Sequence, residues 1–161
     1  MPKLTNSTEV FITKLQALYD IEGELKKALP KLAKTATDPS LRKSFRGHLE
    51  ETSGHSRRLE KAFQFLGLKP KKLKSEGVRG IVKDGAWVID LKAPPFIKDA
   101  MLASSAIYAE HYEMAGYMSA IEMSKLLGHE NIAKLLAETL KEEEKADQKL
   151  ALLLRNNMNE E

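Results

Sequence analysis

The sequence contains no cysteine among its 161 residues, and only 6% of them are aromatic. Without thiols the chain has neither a disulfide framework nor a thiolate metal site, and a reducing, cytoplasmic location is the expectation. No apolar run approaches the ~18 residues that a membrane span needs. The first five residues also lack the apolar stretch of a signal peptide. We therefore expect no membrane partner.

An excess of charge of one sign is also missing. The chain has 26 Lys and Arg against 23 Asp and Glu, and these charges are interspersed along it. One short basic run, residues 69–74, has no interleaved aromatic residues, so a solvated loop is favoured over a phosphate-binding surface. We expect no nucleic-acid partner.

The chain is rich in Leu, Ala, Lys and Glu, which favour helices because they lose little rotamer freedom there. Apolar residues recur at steps of three and four in four long segments. Asn6 is suited to begin the first helix, and Thr37 or Asp38 followed by Pro39 is suited to begin the second. The predicted helices cover residues 7–36, 39–66, 95–127 and 130–155.

Residues 67–94 have a different composition, with four of the nine glycines and a strand-like run at 86–89. We interpret them as a long connection wrapped along the helices and pinned by Trp87. A link of this length can run from one end of a bundle to the other, whereas a tight turn cannot. The sequence therefore predicts a single all-α domain, residues 1–161, folded as a ferritin-like four-helix bundle. Its two antiparallel hairpins would be joined by the crossover.

Charged residues interrupt the apolar stripes of these helices. Glu22 lies between Leu18 and Leu25 on the first helix, Glu110 lies on the apolar face of the third, and Glu143 lies within the stripe of the fourth. A carboxylate on a core-facing stripe is costly unless it is paired or coordinates a metal. Solvated positions at the edge of each stripe are the alternative interpretation.

The second helix adds Glu51 and His55, one turn apart at the edge of its stripe. Counting from the helix ends at ~1.5 Å per residue places Glu22 nearly level with Glu51, and it places Glu143 and Asp147 so that they bracket the level of Glu110. All would meet in one cross-section of the bundle. The predicted metal ligands are therefore Glu22, Glu51, His55, Glu110, Glu143 and Asp147.

Carboxylate oxygens with some imidazole favour iron, as one or two ions, with Mn as the alternative. Di-iron carboxylate bundles use one Glu from each of two helices and a Glu–His pair three residues apart from each of the others. Here the pairs are four apart and Asp147 stands where a second His is expected, so the number of ions stays open. Glu113 and Glu144 are further candidate ligands, and His48 is a candidate for an inward-facing position.

The whole chain resembles the YciF-like stress-associated bacterial proteins of the ferritin-like superfamily. The segments that carry the resemblance are residues 18–22, 28–36, 48–52 with His55, 110–117 and 140–147. The third-helix segment, Glu-His-Tyr-Glu-Met-Ala-Gly-Tyr, is the most specific of these. The resemblance implies a rubrerythrin-like bundle that forms a homodimer and holds a metal site.

Two functions are compatible with these observations. The first is a carboxylate-bridged metal-binding bundle with a redox or stress-response role. The second is a metal-free structural or partner-binding bundle on the same scaffold, because fold alone does not fix function. The sequence leaves open whether the protein is an enzyme.

Overall fold

The computed structural model describes residues 3–159 of the chain, and within them it contains five helices and no strand. Four helices are long and one is short. In chain order they are α1 (Ser7–Thr35), α2 (Pro39–Phe65), α3 (Glu76–Asp90), α4 (Pro95–Leu126) and α5 (Glu130–Met158). None of these five helices carries an apolar stretch that would allow it to cross a membrane.

The helix starts follow from local capping chemistry. The Asn6 side chain accepts a hydrogen bond from the Glu9 N–H at 2.9 Å, and Asp38 accepts one from the Ser40 N–H at 2.7 Å. These bonds satisfy N–H groups that have no partner within the helix. Asp38, rather than Thr37, therefore caps α2.

The two short loops form antiparallel hairpins, α1–α2 and α4–α5. Near the start of α4, Asp99 accepts hydrogen bonds from the N–H groups of Thr37 and Asp38 in the α1–α2 loop, at 2.9 and 2.7 Å. Near the end of α5, Asn157 donates to Asp38 at 3.2 Å. Because α2 and α4 begin at the same end, the connection between them runs the length of the bundle. The predicted topology is confirmed.

The prediction for the crossover was wrong in its detail. Residues 86–89 belong to α3 rather than to a strand, and Trp87 is 61% exposed, so it pins nothing. Val78, Gly85 and Val88 are buried at helical spacing, which shows why the segment is an amphipathic helix. The crossover is held instead at the start of α3, where buried Asp20 accepts hydrogen bonds from the Ser75 N–H and the Arg79 guanidinium.

Apolar side chains fill both halves of the bundle. Leu15, Leu59 and Ile132 are fully buried in one half, and Leu29 and Leu41 are buried in the other. Between these two apolar regions the four long helices present polar and charged side chains to one another. That central layer is the candidate site.

Candidate metal centre

Six titratable side chains are buried together in the middle of the bundle. They come from all four long helices, with one from α1, two from α2, two from α4 and one from α5. They are Glu22, His48, His55, Glu110, Glu113 and Glu143, and each is buried.

Helical periodicity places each pair on one face. His48, Thr52 and His55 are successive buried residues on α2, separated by steps of four and three. Glu110 and Glu113 are three apart on α4, so both carboxylates point to the same side.

The six residues form two overlapping groups of four. Glu22 and His55 belong to the first group, and His48 and Glu110 belong to the second. Glu113 and Glu143 belong to both. Within each group, one ligand atom per residue lies within 4.8 Å of all the others. Two adjacent positions, each surrounded by three carboxylates and one imidazole, therefore share two of their carboxylates.

Several carboxylate oxygens in this layer have no hydrogen-bond partner among the described residues. Both oxygens of Glu113 and both of Glu143 are in this condition, as are Oε2 of Glu22 and Oε2 of Glu110, although Oε1 of Glu143 lies in ion-pair range of Nδ1 of His55, at 3.0 Å. Buried polar atoms are nearly always partnered in folded proteins, and an unpartnered one costs about 1–3 kcal/mol. The described residues therefore leave part of the hydrogen-bonding capacity of this layer unused.

Burial raises the pKa of Glu22, and it raises the pKa values of Glu110 and Glu113 well above the ordinary range. Neighbouring carboxylates add to the increase at Glu113, because like charges disfavour ionisation. Burial also favours the protonated form of Glu143, but the two histidines outweigh that effect and lower its pKa.

For the two histidines, burial and the neighbouring carboxylates have opposite effects on the pKa. Burial alone lowers the pKa of His48, but the Glu110, Glu51 and Glu143 carboxylates raise it to about 9. Burial likewise lowers the pKa of His55, and the carboxylates of Glu143 and Glu22 raise it to about 10. Without a bound cation, the layer therefore holds protons on both of its imidazoles at neutral pH.

Tyr117 and Glu142 contact this layer from outside it. The buried Tyr117 hydroxyl donates a short hydrogen bond to Oε1 of Glu22, which leaves Oε2 facing the cluster. Nε2 of His55 lies 2.9 Å from Oε2 of Glu142, whose carboxylate is also bound by the Arg58 guanidinium.

The structure brings together four of the six predicted ligands, namely Glu22, His55, Glu110 and Glu143. The other two lie outside both groups. Glu51 is 47% exposed and reaches only the outer nitrogen of His48, at 3.4 Å. Asp147 is 23% exposed and lies 3.1 Å from Nε2 of His111.

Two residues outside the predicted set of six, Glu113 and His48, complete the two groups. Glu113, a candidate left open by the sequence, is fully buried, whereas the alternative Glu144 is exposed. His48 is also in the cluster, and the sequence contained a signal for it. The buried residues Phe45, His48 and Thr52 of α2 recur at steps of three and four, and Glu51 lies beside that row.

Comparison with known protein families matches residues 6–161 to the family described as a domain of unknown function, DUF892. The chain belongs to this family. The match spans all the helices described above, and it confirms the resemblance to YciF-like proteins that the sequence indicated. Protein YciF of Escherichia coli strain K12 is 37% identical over 152 residues, which is 94% of this chain and 92% of YciF.

Solved structures agree with this DUF892 assignment. The crystal structure of the E. coli stress protein YciF superposes with a TM-score of 0.94 at 35% identity, covering 98% of this chain and 100% of that one. YcfI of Rhodopseudomonas palustris, whose description proposes a structural role, has a TM-score of 0.90 at 32% identity, with 92% and 95% covered.

A more distant protein of Bacillus anthracis strain Ames is described as ferritin-like and diiron-carboxylate. It has a TM-score of 0.71 at 16% identity, covering 94% of this chain and 99% of that one. At that identity the likeness concerns the fold alone. The predicted all-α, ferritin-like fold is thereby confirmed.

Proposed function

We propose that the central layer binds two divalent metal ions, with iron the favoured metal and Mn the alternative. The observation that carries the proposal is the pair of overlapping ligand groups that share Glu113 and Glu143. Glu22 and His55 would complete one position, and His48 and Glu110 would complete the other.

Charge balance supports two ions rather than one. Four ionised carboxylates and two neutral imidazoles carry a formal charge of −4, which two divalent cations neutralise. A neutral cluster can be buried in an apolar bundle, whereas an uncompensated charge there is very costly. The two oxygens of Glu113, which have neither a hydrogen-bond nor an ion-pair partner among the described residues, are the atoms that most need such cations.

The donor chemistry supports the choice of metal. Carboxylate oxygens and imidazole nitrogens, without a thiolate, suit Fe or Mn. Bound iron would supply Lewis acidity and one-electron redox chemistry. The chain would hold the ligands on four rigid helices, keep bulk water away by burial, and orient Glu22 through the Tyr117 hydroxyl.

The test is an anaerobic Fe(II) titration of protein first stripped with chelator. We expect saturation near two ions per chain. Glu113→Gln should weaken both binding steps because Glu113 is common to the two groups. Glu144→Gln is the matched control, because Glu144 is an exposed glutamate beside Glu143 on α5 and should leave both steps unchanged.

Other results of that titration would separate the alternatives. Saturation near one ion would restrict the proposal to a single position. Absence of saturable binding would refute the metal site and leave a metal-free helical scaffold, which is the alternative function considered from the sequence.

A further inference from the structure

The two histidines of α2 present different ring nitrogens to the carboxylates. Nδ1 of His55 lies 3.0 Å from Glu143 and 3.5 Å from Glu22, so Nδ1 is its inner nitrogen. His48 is turned the other way, with Nε2 lying 3.2 Å from Glu110 and 3.7 Å from Glu143. The remaining nitrogen of each ring points out of the cluster.

Each outer nitrogen meets a glutamate that is not in either ligand group. Nε2 of His55 lies 2.9 Å from Glu142, and Nδ1 of His48 lies 3.4 Å from Glu51. A neutral imidazole has one N–H, and a carboxylate next to one nitrogen keeps the hydrogen there and leaves the other nitrogen free to bind a metal. The two outer carboxylates therefore select opposite tautomers.

The two outer carboxylates are not equally fixed. Both oxygens of Glu142 accept hydrogen bonds from the Arg58 guanidinium, at 2.7 and 2.8 Å, and the Glu142 side chain is 30% exposed. A two-point pairing of this kind fixes the carboxylate in direction as well as position. Glu51 is more exposed, and its contact with His48 is the longer of the two. His55 is consequently held more firmly than His48.

The same difference extends to the acidic ligands beside each ring. Glu22, which shares its group with His55, is oriented by the Tyr117 hydroxyl. Glu22 and Glu110 each have one oxygen without a hydrogen-bond partner among residues 3–159, but the other oxygen of Glu110, which shares its group with His48, has no hydroxyl donor and lies 3.2 Å from the His48 ring. The Glu22–His55 half is thus the better organised half before any ion binds.

We propose that Glu142 and Glu51 are positioning residues that make His55 bind metal through Nδ1 and His48 through Nε2, and that the Glu22–His55 position fills first. This inference rests on the proposed metal site. Pre-organised ligands lose less freedom when an ion binds, so the better organised position has the higher affinity. Loss of such an outer partner weakens metal binding by about 10–100-fold.

The experiment is a stepwise anaerobic Mn(II) titration of Glu142→Ala and Glu51→Ala, with Glu144→Ala as the exposed control on α5. Glu142→Ala should weaken the first step by about 10–100-fold. Glu51→Ala should weaken only the second step, and by less. Glu142→Gln keeps an oxygen that can accept the His55 N–H, so it should recover part of the loss. Thermal melts of the chelated proteins would check that each variant folds.

A second readout tests the ring nitrogens directly. In Zn(II)-loaded protein, which is diamagnetic, histidine ¹⁵N spectra should place the metal on Nδ1 of His55 and on Nε2 of His48. Coordination of both rings through the same nitrogen would overturn the inference, and so would parent-like metal affinity in Glu142→Ala. Both results leave the metal site itself standing. A parent protein that binds no ion would instead overturn the proposed function and this inference together.

Discussion

The sharpest stability prediction concerns Glu113→Met in the metal-free protein. Glu113 is fully buried, and neither of its carboxylate oxygens has a hydrogen-bond partner among the described residues. Burial raises its pKa well above the ordinary range, and the neighbouring charges of Glu143 and Glu22 add to the increase. Methionine has a similar unbranched shape and no polar group to satisfy, so it removes this unfavourable burial while filling the same space.

The expected gain can be estimated from the two opposing effects. Relief of an unsatisfied buried polar group is worth about 1–3 kcal/mol. An imperfect volume-conserving replacement costs up to about 1.5 kcal/mol. A net gain of about 1–2 kcal/mol in the free energy of unfolding is therefore expected. In a chain of this length each kcal/mol raises Tm by about 2–4 °C, which gives an increase of about 2–8 °C.

The assay is a set of thermal and urea melts at neutral pH, with chelator and with saturating metal. Metal should stabilise the parent by about 2.7 kcal/mol at a hundred times its Kd, and it should stabilise Glu113→Met much less. Exposed Glu144→Met is the control and should shift stability by no more than about 0.5 kcal/mol. A chelated Glu113→Met protein that melts below the parent would refute the reasoning, because Glu113 would then be contributing to the apo fold.

Two further predictions follow from the same structure. Metal must displace protons from His48 and His55, whose pKa values are raised to about 9 and about 10. The apparent affinity for metal should therefore rise from about pH 6 to pH 9. Calorimetry in different buffers should measure the protons that are released. A metal affinity that does not depend on pH would contradict this prediction. Asp99→Asn should lower the free energy of unfolding by about 2 kcal/mol in urea melts, because it weakens the charged cap on Thr37 and Asp38. The substitution should leave the metal stoichiometry unchanged. An altered stoichiometry would mean that Asp99 also helps to position the proposed metal ligands.

The four long helices could be predicted because their signals are local. Apolar spacing and capping residues such as Asn6 and Asp38 act within a few residues of themselves, and the structure places both caps as expected. The crossover was harder. Its β-favouring run at 86–89 suggested a strand, but the buried faces of α1 and α4 against which α3 packs are set by tertiary structure. An isolated segment does not reveal which of its faces will be covered.

The same distinction explains which site residues could be identified. Glu22 and Glu143 interrupt otherwise apolar rows, so their inward direction follows from periodicity alone. On α2 the rule that a di-iron bundle supplies a Glu–His pair favoured Glu51, although the buried row passes through His48 instead. Glu142 could not be identified at all, because its role depends on contacts with residues more than 80 positions away.

Burial alone does not distinguish the proposed ligands from the other acids of this bundle. Asp20 and Asp99 are buried as deeply as Glu110, yet their oxygens accept hydrogen bonds from backbone N–H groups. At Asp20 burial by itself raises the pKa, but the Arg79 guanidinium and the Ser75 N–H outweigh it and lower the pKa. Asp20 therefore stabilises the fold above its unfolded pKa, and this contribution is lost as pH falls through the lowered folded value.

Two acids of the central layer show the opposite pattern. Glu110 and Glu113 have raised pKa values and unpartnered oxygens, so at neutral pH they reduce the stability of the metal-free bundle. An acid that stabilises the fold accepts hydrogen bonds from the protein, whereas an acid of the proposed metal site has oxygens without such partners. The two sets therefore differ in whether the protein itself supplies hydrogen-bond partners for the carboxylate oxygens. By that criterion Glu113 belongs to the proposed metal centre, whereas Asp20 and Asp99 belong to the fold.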